Sequence, residues 1–284
     1  MRNQSLKDLL LISAFCVLAC HQIYAQRKVT DPKHENHYQV KPVETDEVSI
    51  SFTDAHSQQE FTHTKIKVTN KTNDYILFKT AETTFKYEFG EYHPVVGGIF
   101  RSSKMTVFPK DSDTRVLKVS GGNQFHVEGL ELKLGGFYRV AAEGKTQDAP
   151  DFKLPASAND FKAGVFKCSL EKIKKETKET EVFFKCVYQG NEIGMIDPTK
   201  ITLKLENGDE YANDNKKAKM ELVLPGEDVT ISASFHVPGK ITDMQFANML
   251  MVWKNTFTES KIVPITVGET AFTLDPGMTE AKNK

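Results

Sequence analysis

The sequence predicts an all-β protein: two tandem β-sandwich domains that follow a cleaved export signal. Short runs of alternating apolar and polar residues fill both halves of the chain, and polar, glycine-containing breaks separate them. One phrase is also nearly repeated, since KMTVFPKDSDTRVLKV begins at Lys104 and KMELVLPGEDVTISASF begins at Lys219. Each copy predicts a strand, a turn with proline and acidic residues, and a second strand. Duplication of one domain and two unrelated sandwiches both explain the repeat.

The first 25 residues are predicted to be a signal peptide. A positively charged start precedes an apolar run over residues 9–19, which is too short for a stable bilayer anchor. The small residue Ala25 stands before Gln26, so cleavage after Ala25 is the favoured interpretation. The alternative is a lipoprotein signal, in which Cys20 of the stretch VLAC carries the lipid. We therefore expect a secreted or periplasmic protein, with an outer-membrane lipoprotein as the alternative.

The domain boundaries follow the alternating runs. Residues 26–46 are polar and contain two prolines, which predicts a flexible leader. The first sandwich is assigned to residues 47–144, and residues 145–160, which lack alternation, are the predicted linker. The second sandwich is assigned to residues 161–267. Residues 268–284 are predicted to form a polar tail that frays.

Each predicted strand rests on its own alternation, and no helix is predicted. The first sandwich draws its strands from VSISF, KIKVTN, DYILFK, TFKYEF, KMTVF, TRVLKV and LELKLGGFYRV. In the second, VTISASFHV places apolar residues at every second position from Val229 to Val237, which is typical of a half-buried strand. KITLKLENGDEY alternates in the same way. The charged stretch after Cys168 is predicted to continue a strand into a polar turn.

Cys168 and Cys186 are predicted to form a disulfide across a hairpin. If the flanking segments pair as antiparallel strands with the two cysteines opposed, Phe166 lies opposite Tyr188 on the same apolar face. Directly opposed Cα atoms can lie ~4.5 Å apart, which is within reach of a disulfide. Export permits oxidation. Two buried free thiols are the alternative.

Two segments concentrate side chains that bind metals. HENH places His34 and His37 three residues apart, but it lies in the predicted leader and lacks the helical spacing of a zinc protease. Loop 206–215 is rich in carboxylate and amide oxygens, which suit calcium. Its Asn207-Gly208 pair is a strong hairpin-turn signal, so a turn is favoured and calcium stays an alternative.

The other histidines of the mature chain are interpreted as separate surface or strand-face residues, and no metal or cofactor is predicted. These histidines are His56, His63, His93, His126 and His236. No nucleophile motif or phosphate-binding loop is found, so we do not expect an enzyme. The formal net charge of −1 argues against a nucleic-acid partner.

The single tryptophan, Trp253, lies beside Met249 and Met251 in the apolar stretch MLMVW. Packing in a sandwich core is the favoured interpretation of these three residues. If they were exposed, they would form an apolar interaction patch for a partner.

The stretches ITLKLENGDEY, LVLPGEDVTISASFHVP and MLMVW, within about residues 199–253, carry a resemblance to known domains. They are similar to a family of bacterial secreted domains of unknown function with a telokin-like, immunoglobulin-like fold. The resemblance implies immunoglobulin-like sandwiches and an exported binding or structural role. It transfers no site residues.

The expected function is that of a non-enzymatic binding or structural protein of the bacterial cell envelope. It would recognise a protein or a glycan through the loops or edges of its sandwiches. One alternative is a carbohydrate-active or other hydrolase accessory protein with a dispersed site. Another is a periplasmic assembly or chaperone-like factor that acts by strand addition.

Overall fold

The computed structural model describes residues 31–95 and 103–284, and this part of the chain consists mainly of 25 β-strands in five antiparallel sheets. The predicted all-β sandwich fold is therefore confirmed. The predicted signal peptide, Ala25 and Cys20 lie outside the described residues.

The first eleven strands belong to two sheets. In chain order they are β1 (Asn36–Val40), β2 (Val43–Glu44), β3 (Val48–Ser57), β4 (Phe61–Asn70), β5 (Tyr75–Lys79), β6 (Thr84–Tyr87), β7 (Gly90–Tyr92), β8 (Lys104–Val107), β9 (Ser112–Ser120), β10 (Gly129–Leu134) and β11 (Phe137–Val140). A 3-10 turn, Thr80–Glu82, follows β5.

Fourteen further strands follow, of which the first twelve form three sheets and the last two join the sheets of the first eleven strands. In chain order they are β12 (Lys145–Gln147), β13 (Phe152–Leu154), β14 (Asp160–Ala163), β15 (Phe166–Lys175), β16 (Glu179–Tyr188), β17 (Ile193–Ile196), β18 (Ile201–Leu205), β19 (Glu210–Ala212), β20 (Glu221–Val223), β21 (Asp228–His236), β22 (Met249–Trp253), β23 (Phe257–Ser260), β24 (Ile262–Pro264) and β25 (Gly268–Leu274). A 3-10 turn, Pro198–Lys200, follows β17, and helix α1 (Pro276–Lys282) follows β25.

The two halves repeat one strand order. The first half contains the runs β7-β6-β10-β25, β1-β3-β4-β9 and β24-β11-β5-β8, and the first two runs join through β25 and β1 into a nine-stranded sheet that also carries β2. The second half contains the runs β19-β18-β22-β13, β14-β15-β16-β21 and β12-β23-β17-β20. Both copies of the repeated phrase therefore supply equivalent edge strands, β8 and β9 in one half and β20 and β21 in the other.

The two strands that complete the sheets of each half are those that the chain enters as it leaves the other half. After β11 the chain enters β12 and β13, which pair with β23 and β22 of the second half. After β23 it enters β24 and β25, which pair with β11 and with β10 and β1 of the first half. Each half thus gives two strands to its neighbour, and the exchange is reciprocal.

Two large clusters of buried side chains fill the spaces between the sheets. One contains residues of the nine-stranded sheet and of β5, β8 and β11, and the other contains residues of the second half. A third, smaller cluster joins Leu77 and Val140 to Ile193, Met195 and Leu222. The halves therefore meet through an apolar contact, and an ion pair between Lys104 and Glu227 spans the same junction.

Three segments that the sequence analysis assigned as irregular form strands. The predicted leader contains β1 and β2 from residue 36 onward, the predicted linker contains β12 and β13, and the predicted tail contains β25 and α1. The tail strand has one large buried side chain, Phe272, and its backbone pairs with strands on both sides. β12, β13 and β25 pair with strands that are distant in sequence, so local alternation does not reveal them.

The prediction that the chain contains no helix is wrong, because Pro276–Lys282 form helix α1. The Asp275 side chain caps its start, because its Oδ1 accepts a hydrogen bond from the Met278 backbone N–H at 2.9 Å. Pro276 occupies the first turn, where a missing N–H costs nothing.

The predicted disulfide and its register are confirmed. Cys168 on β15 lies opposite Cys186 on β16, and Phe166 lies opposite Tyr188. The cysteine Cα atoms are 4.0 Å apart, and both residues are buried in the second core.

Candidate functional site

Three histidines lie in a row across neighbouring strands of the nine-stranded sheet. His37 on β1 is paired with His56 on β3, and His56 is paired with His63 on β4. The ring centroids are 5.5 Å apart for the first pair and 4.9 Å apart for the second. His56 and His63 were predicted to be separate surface or strand-face residues, whereas the strand register brings them together.

Asp54 stands beside two of these histidines. The register of β3 against β4 shifts between Thr53 and His56, and Asp54 in this bulge has a φ of 55°. Its Oδ1 is 3.3 Å from His56 Nδ1, and its Oδ2 is 3.8 Å from His63 Nδ1. Its backbone carbonyl oxygen is 3.2 Å from each Nδ1. Two ring nitrogens and two kinds of oxygen therefore converge on one point.

The charges at this point favour an ionised carboxylate beside a neutral imidazole. Burial raises the pKa of Asp54, but the hydrogen bond from Lys65, whose Nζ lies 3.1 Å from Oδ2, and the charges of the two histidines outweigh it and lower the pKa overall. Burial is the main cause that lowers the pKa of His63. An ionised carboxylate and a neutral imidazole are the forms that bind metals, and each Nδ1, which here faces the Asp54 carbonyl oxygen, is free to bind an ion once the ring proton lies on Nε2.

A second layer of contacts holds the row in place. His37 is buried, and its Nε2 lies 2.8 Å from Glu35 Oε2. Gln58 Nε2 donates to the other Glu35 oxygen at 3.0 Å. The His37 backbone N–H donates to Thr279 Oγ1 of α1 at 3.0 Å, so the C-terminal helix packs against the end of the row.

The two histidines of HENH do not share a partner. His34 Nδ1 lies 2.8 Å from His126 Nε2, whereas the His37 ring contacts Glu35 and His56. The expectation of a flexible leader around them is wrong, because β1 is paired on both sides.

Loop 206–215 forms a hairpin turn between β18 and β19, with Gly208 at a φ of 94°. The Glu210 side chain pairs with Lys254, and Glu206 Oε1 accepts a hydrogen bond from Asn248 at 2.9 Å. Within residues 31–95 and 103–284, Asp54, His56 and His63 are the one group of three metal-binding side chains whose ligand atoms lie within 4.8 Å of one another. The loop carboxylates Glu206, Asp209, Glu210 and Asp214 do not form such a group.

The patch proposed around Trp253, Met249 and Met251 is not exposed. All three side chains are buried in the second core because they occupy the inward-facing positions of β22. The Trp253 ring packs against Phe161 at 4.6 Å and Phe184 at 5.2 Å between ring centroids. The core-packing interpretation is the one that the structure bears out.

An exposed apolar surface lies nearby, on the loop between β21 and β22. Phe246 is 82% exposed and Ile241 is 42% exposed. Ile241 lines a hollow that shares Glu206 and Asn248 with an open groove of about 370 Å³. The groove is also bordered by Lys153, Leu154, Pro155, Lys204, Leu205, Met249 and Leu250. Phe246 was not among the predicted site residues, although an aromatic residue in the polar stretch ITDMQFAN is a visible signal.

The loop that carries Phe246 is held at several points. Met244 is fully buried, and its backbone N–H donates to the Thr177 carbonyl at 3.0 Å. Asp243 accepts hydrogen bonds from the backbone N–H groups of Gln245, Phe246 and Ala247 at 3.0–3.2 Å. We define Ile241 and Phe246 together with this groove as the loop-end surface.

Comparison with known proteins adds weak structural likenesses only. No known protein family and no curated protein matches the chain. The yjhA protein from Bacillus subtilis matches 28% of this chain and 70% of its own at 14% identity, with a TM-score of 0.24. Red sea bream transglutaminase matches 81% of this chain and 31% of its own, at 10% identity and a TM-score of 0.19. The secreted serine protease VesC from Vibrio cholerae matches 81% and 51%, at 8% identity and a TM-score of 0.17. Likenesses at these scores carry no functional argument.

Proposed function

We propose that this chain is an exported, non-enzymatic protein of the bacterial cell envelope that binds a protein or a glycan through the loop-end surface. The observation that carries the proposal is the exposed ring of Phe246, on a loop whose residues Ile241 and Ala247 line the hollow that adjoins the groove. A large aromatic side chain kept in water contributes little to folding, and aromatic anchors with a polar rim are typical of binding hot spots.

The loop is suited to binding because it is already ordered. The buried Met244 and the turn at Asp243 position Phe246 without help from a partner. A preordered anchor loses less conformational entropy when it binds, so more of its contact energy contributes to affinity.

The proposed location is secreted or periplasmic, with an outer-membrane lipoprotein through Cys20 as the alternative. The disulfide between Cys168 and Cys186 supports export, since disulfides persist in oxidising compartments. In the part of the chain that the structure describes, no helix is long and apolar enough to cross a membrane.

Loops are favoured over strand addition because the long edge strands already have contacts. The Val95 N–H donates to the Lys118 carbonyl of β9 at 2.7 Å, and the Asp214 N–H donates to the Ser234 carbonyl of β21 at 2.9 Å. An incoming strand would have to displace these hydrogen bonds.

Replacement of Phe246 by alanine tests the proposal. We expect the stability to change by less than about 0.5 kcal/mol, since the ring is exposed. We expect retention of the bound envelope protein or glycan to fall about tenfold or more, as for an interface hot spot. The measurement compares quantitative retention of envelope proteins and of arrayed glycans on immobilised wild type and Phe246→Ala.

The matched control is Phe89→Ala, because Phe89 is 40% exposed in the other half of the protein. Its retention should equal that of the wild type. Equal retention by Phe246→Ala and the wild type would contradict the proposal.

A further inference from the structure

We propose that Asp54, His56 and His63 form a binding site for one divalent transition-metal ion, of which Zn²⁺ is the representative. The proposal does not depend on the loop-end surface, which lies in the other half of the chain. It rests on the convergence of two imidazole Nδ1 atoms, a carboxylate and a backbone carbonyl oxygen.

The spacing of these atoms fits a bound ion. Zinc bonds to histidine nitrogen and carboxylate oxygen are about 2.0–2.2 Å long, so neighbouring ligands lie roughly 3.3–3.5 Å apart around a tetrahedral ion. The carboxylate oxygens of Asp54 are 3.3 and 3.8 Å from the two Nδ1 atoms. The three ligand atoms all lie within 4.8 Å of one another, so shifts of about 1 Å would bring them to one ion, and the Asp54 carbonyl oxygen or water can provide the fourth position.

The backbone that presents the ligands is fixed by the sheet. His56 and His63 are directly paired residues of β3 and β4, and the bulge between Thr53 and His56 turns Asp54 toward both of them. Bulges redirect side chains in this way, and aspartate is one of the residues other than glycine that are enriched at a left-handed φ. Sites on strands hold their ligands more closely than sites on mobile loops.

The ligand types select the class of metal. Imidazole with one carboxylate suits Zn²⁺, Ni²⁺ or Cu²⁺, whereas Mg²⁺ and Ca²⁺ prefer sites made of oxygen alone. His37 is held by Glu35 and packs against the His56 ring, so it restricts the orientations that this ring can adopt.

Lys65 provides a distinctive test, because its ammonium group lies 3.1 Å from Asp54 Oδ2. This positive charge repels a cation at the proposed site. Lys65→Ala should therefore bind Zn²⁺ about three- to tenfold more tightly than the wild type. Damage to the fold would weaken binding, so a gain cannot arise from misfolding.

The experiment is a Zn²⁺ titration of the mature, disulfide-bonded chain without a histidine tag, by calorimetry and by competition with a chromophoric chelator. We expect one ion per chain, and binding at least about tenfold weaker in His56→Gln and in His63→Gln. The control is His236→Gln, an exposed histidine of β21, which should leave binding unchanged. Circular dichroism verifies that each variant is folded.

Two results would overturn the proposal. One is the lack of saturable binding of one ion per chain. The other is binding that survives in a folded His63→Gln variant but is lost in His34→Gln, which would assign the ion to the pair of His34 and His126.

Discussion

Replacement of Phe272 by alanine should lower the free energy of unfolding by about 3–5 kcal/mol. Phe272 lies on β25, only 12 residues before the end of the chain, yet its side chain is 1% exposed. Its ring packs in edge-to-face contacts with Tyr38, Phe52 and Phe85, at 5.8–6.2 Å between ring centroids. Truncation would leave a cavity among three strands, and chemical denaturation followed by tryptophan fluorescence and circular dichroism measures the loss.

Phe246→Ala serves as the matched control, because it removes the same ring from an exposed position and should cost less than about 0.5 kcal/mol. If Phe272→Ala were as stable as the wild type, the chain end would be frayed as its polar composition predicts. The assignment of β25 to the centre of the sheet would then be wrong.

The second large effect is expected from loss of the disulfide. The double variant Cys168→Ala/Cys186→Ala should lose about 3 kcal/mol, because the bond closes a loop with a sequence separation of 18 residues. Loss of the buried sulfur atoms adds a smaller packing term, since both cysteines lie in the second core. Urea denaturation of the oxidised wild type and of the double variant gives the difference.

Reduction of the wild type separates the bond from the packing. The reduced wild type should lose most of the same stability, whereas a reducing agent should not change the double variant. Equal midpoints for the oxidised and reduced wild type would contradict the assigned contribution.

Local patterns in the sequence predicted the elements whose partners are close in the chain. The β15–β16 hairpin is the clearest case, since its apolar alternation gave the pairing of Cys168 with Cys186 and of Phe166 with Tyr188. The repeated phrase likewise marked β8 and β9 as the counterparts of β20 and β21. These predictions succeed because alternation and turn residues lie within one short window.

The candidate metal site could not be predicted in the same way. The alternating runs VSISF and KIKVTN end at Phe52 and begin at Lys65, so no strand pairing was predicted for the residues between them, and His56 and His63 were interpreted as separate surface or strand-face residues. In the structure β3 continues to Ser57 and β4 begins at Phe61, which places the two histidines opposite each other. The sequence contained one signal of a metal site: Asp54 and His56 lie two residues apart, and a short turn separates them from His63.

The exchange of strands between the halves was also hidden. Segments β12 and β13 lack long alternating runs, and Phe272 is the one large side chain that β25 buries, so each segment resembles a linker or a tail when considered alone. Only the pairing partners show that β13 and β25 are equivalent strands. β13 pairs with β22 in the second half, and β25 pairs with β10 in the first half. Because the two halves repeat one strand order, either of these pairings predicts the other.

Hydrogen–deuterium exchange of the intact chain tests the central claim most directly, namely that the last strand completes the first sheet. The account predicts that backbone amides of residues 268–274 exchange slowly, at rates comparable to those of β10 and β1 on either side. Rapid exchange of residues 268–274 in a chain whose β3 and β4 stay protected would contradict the claim.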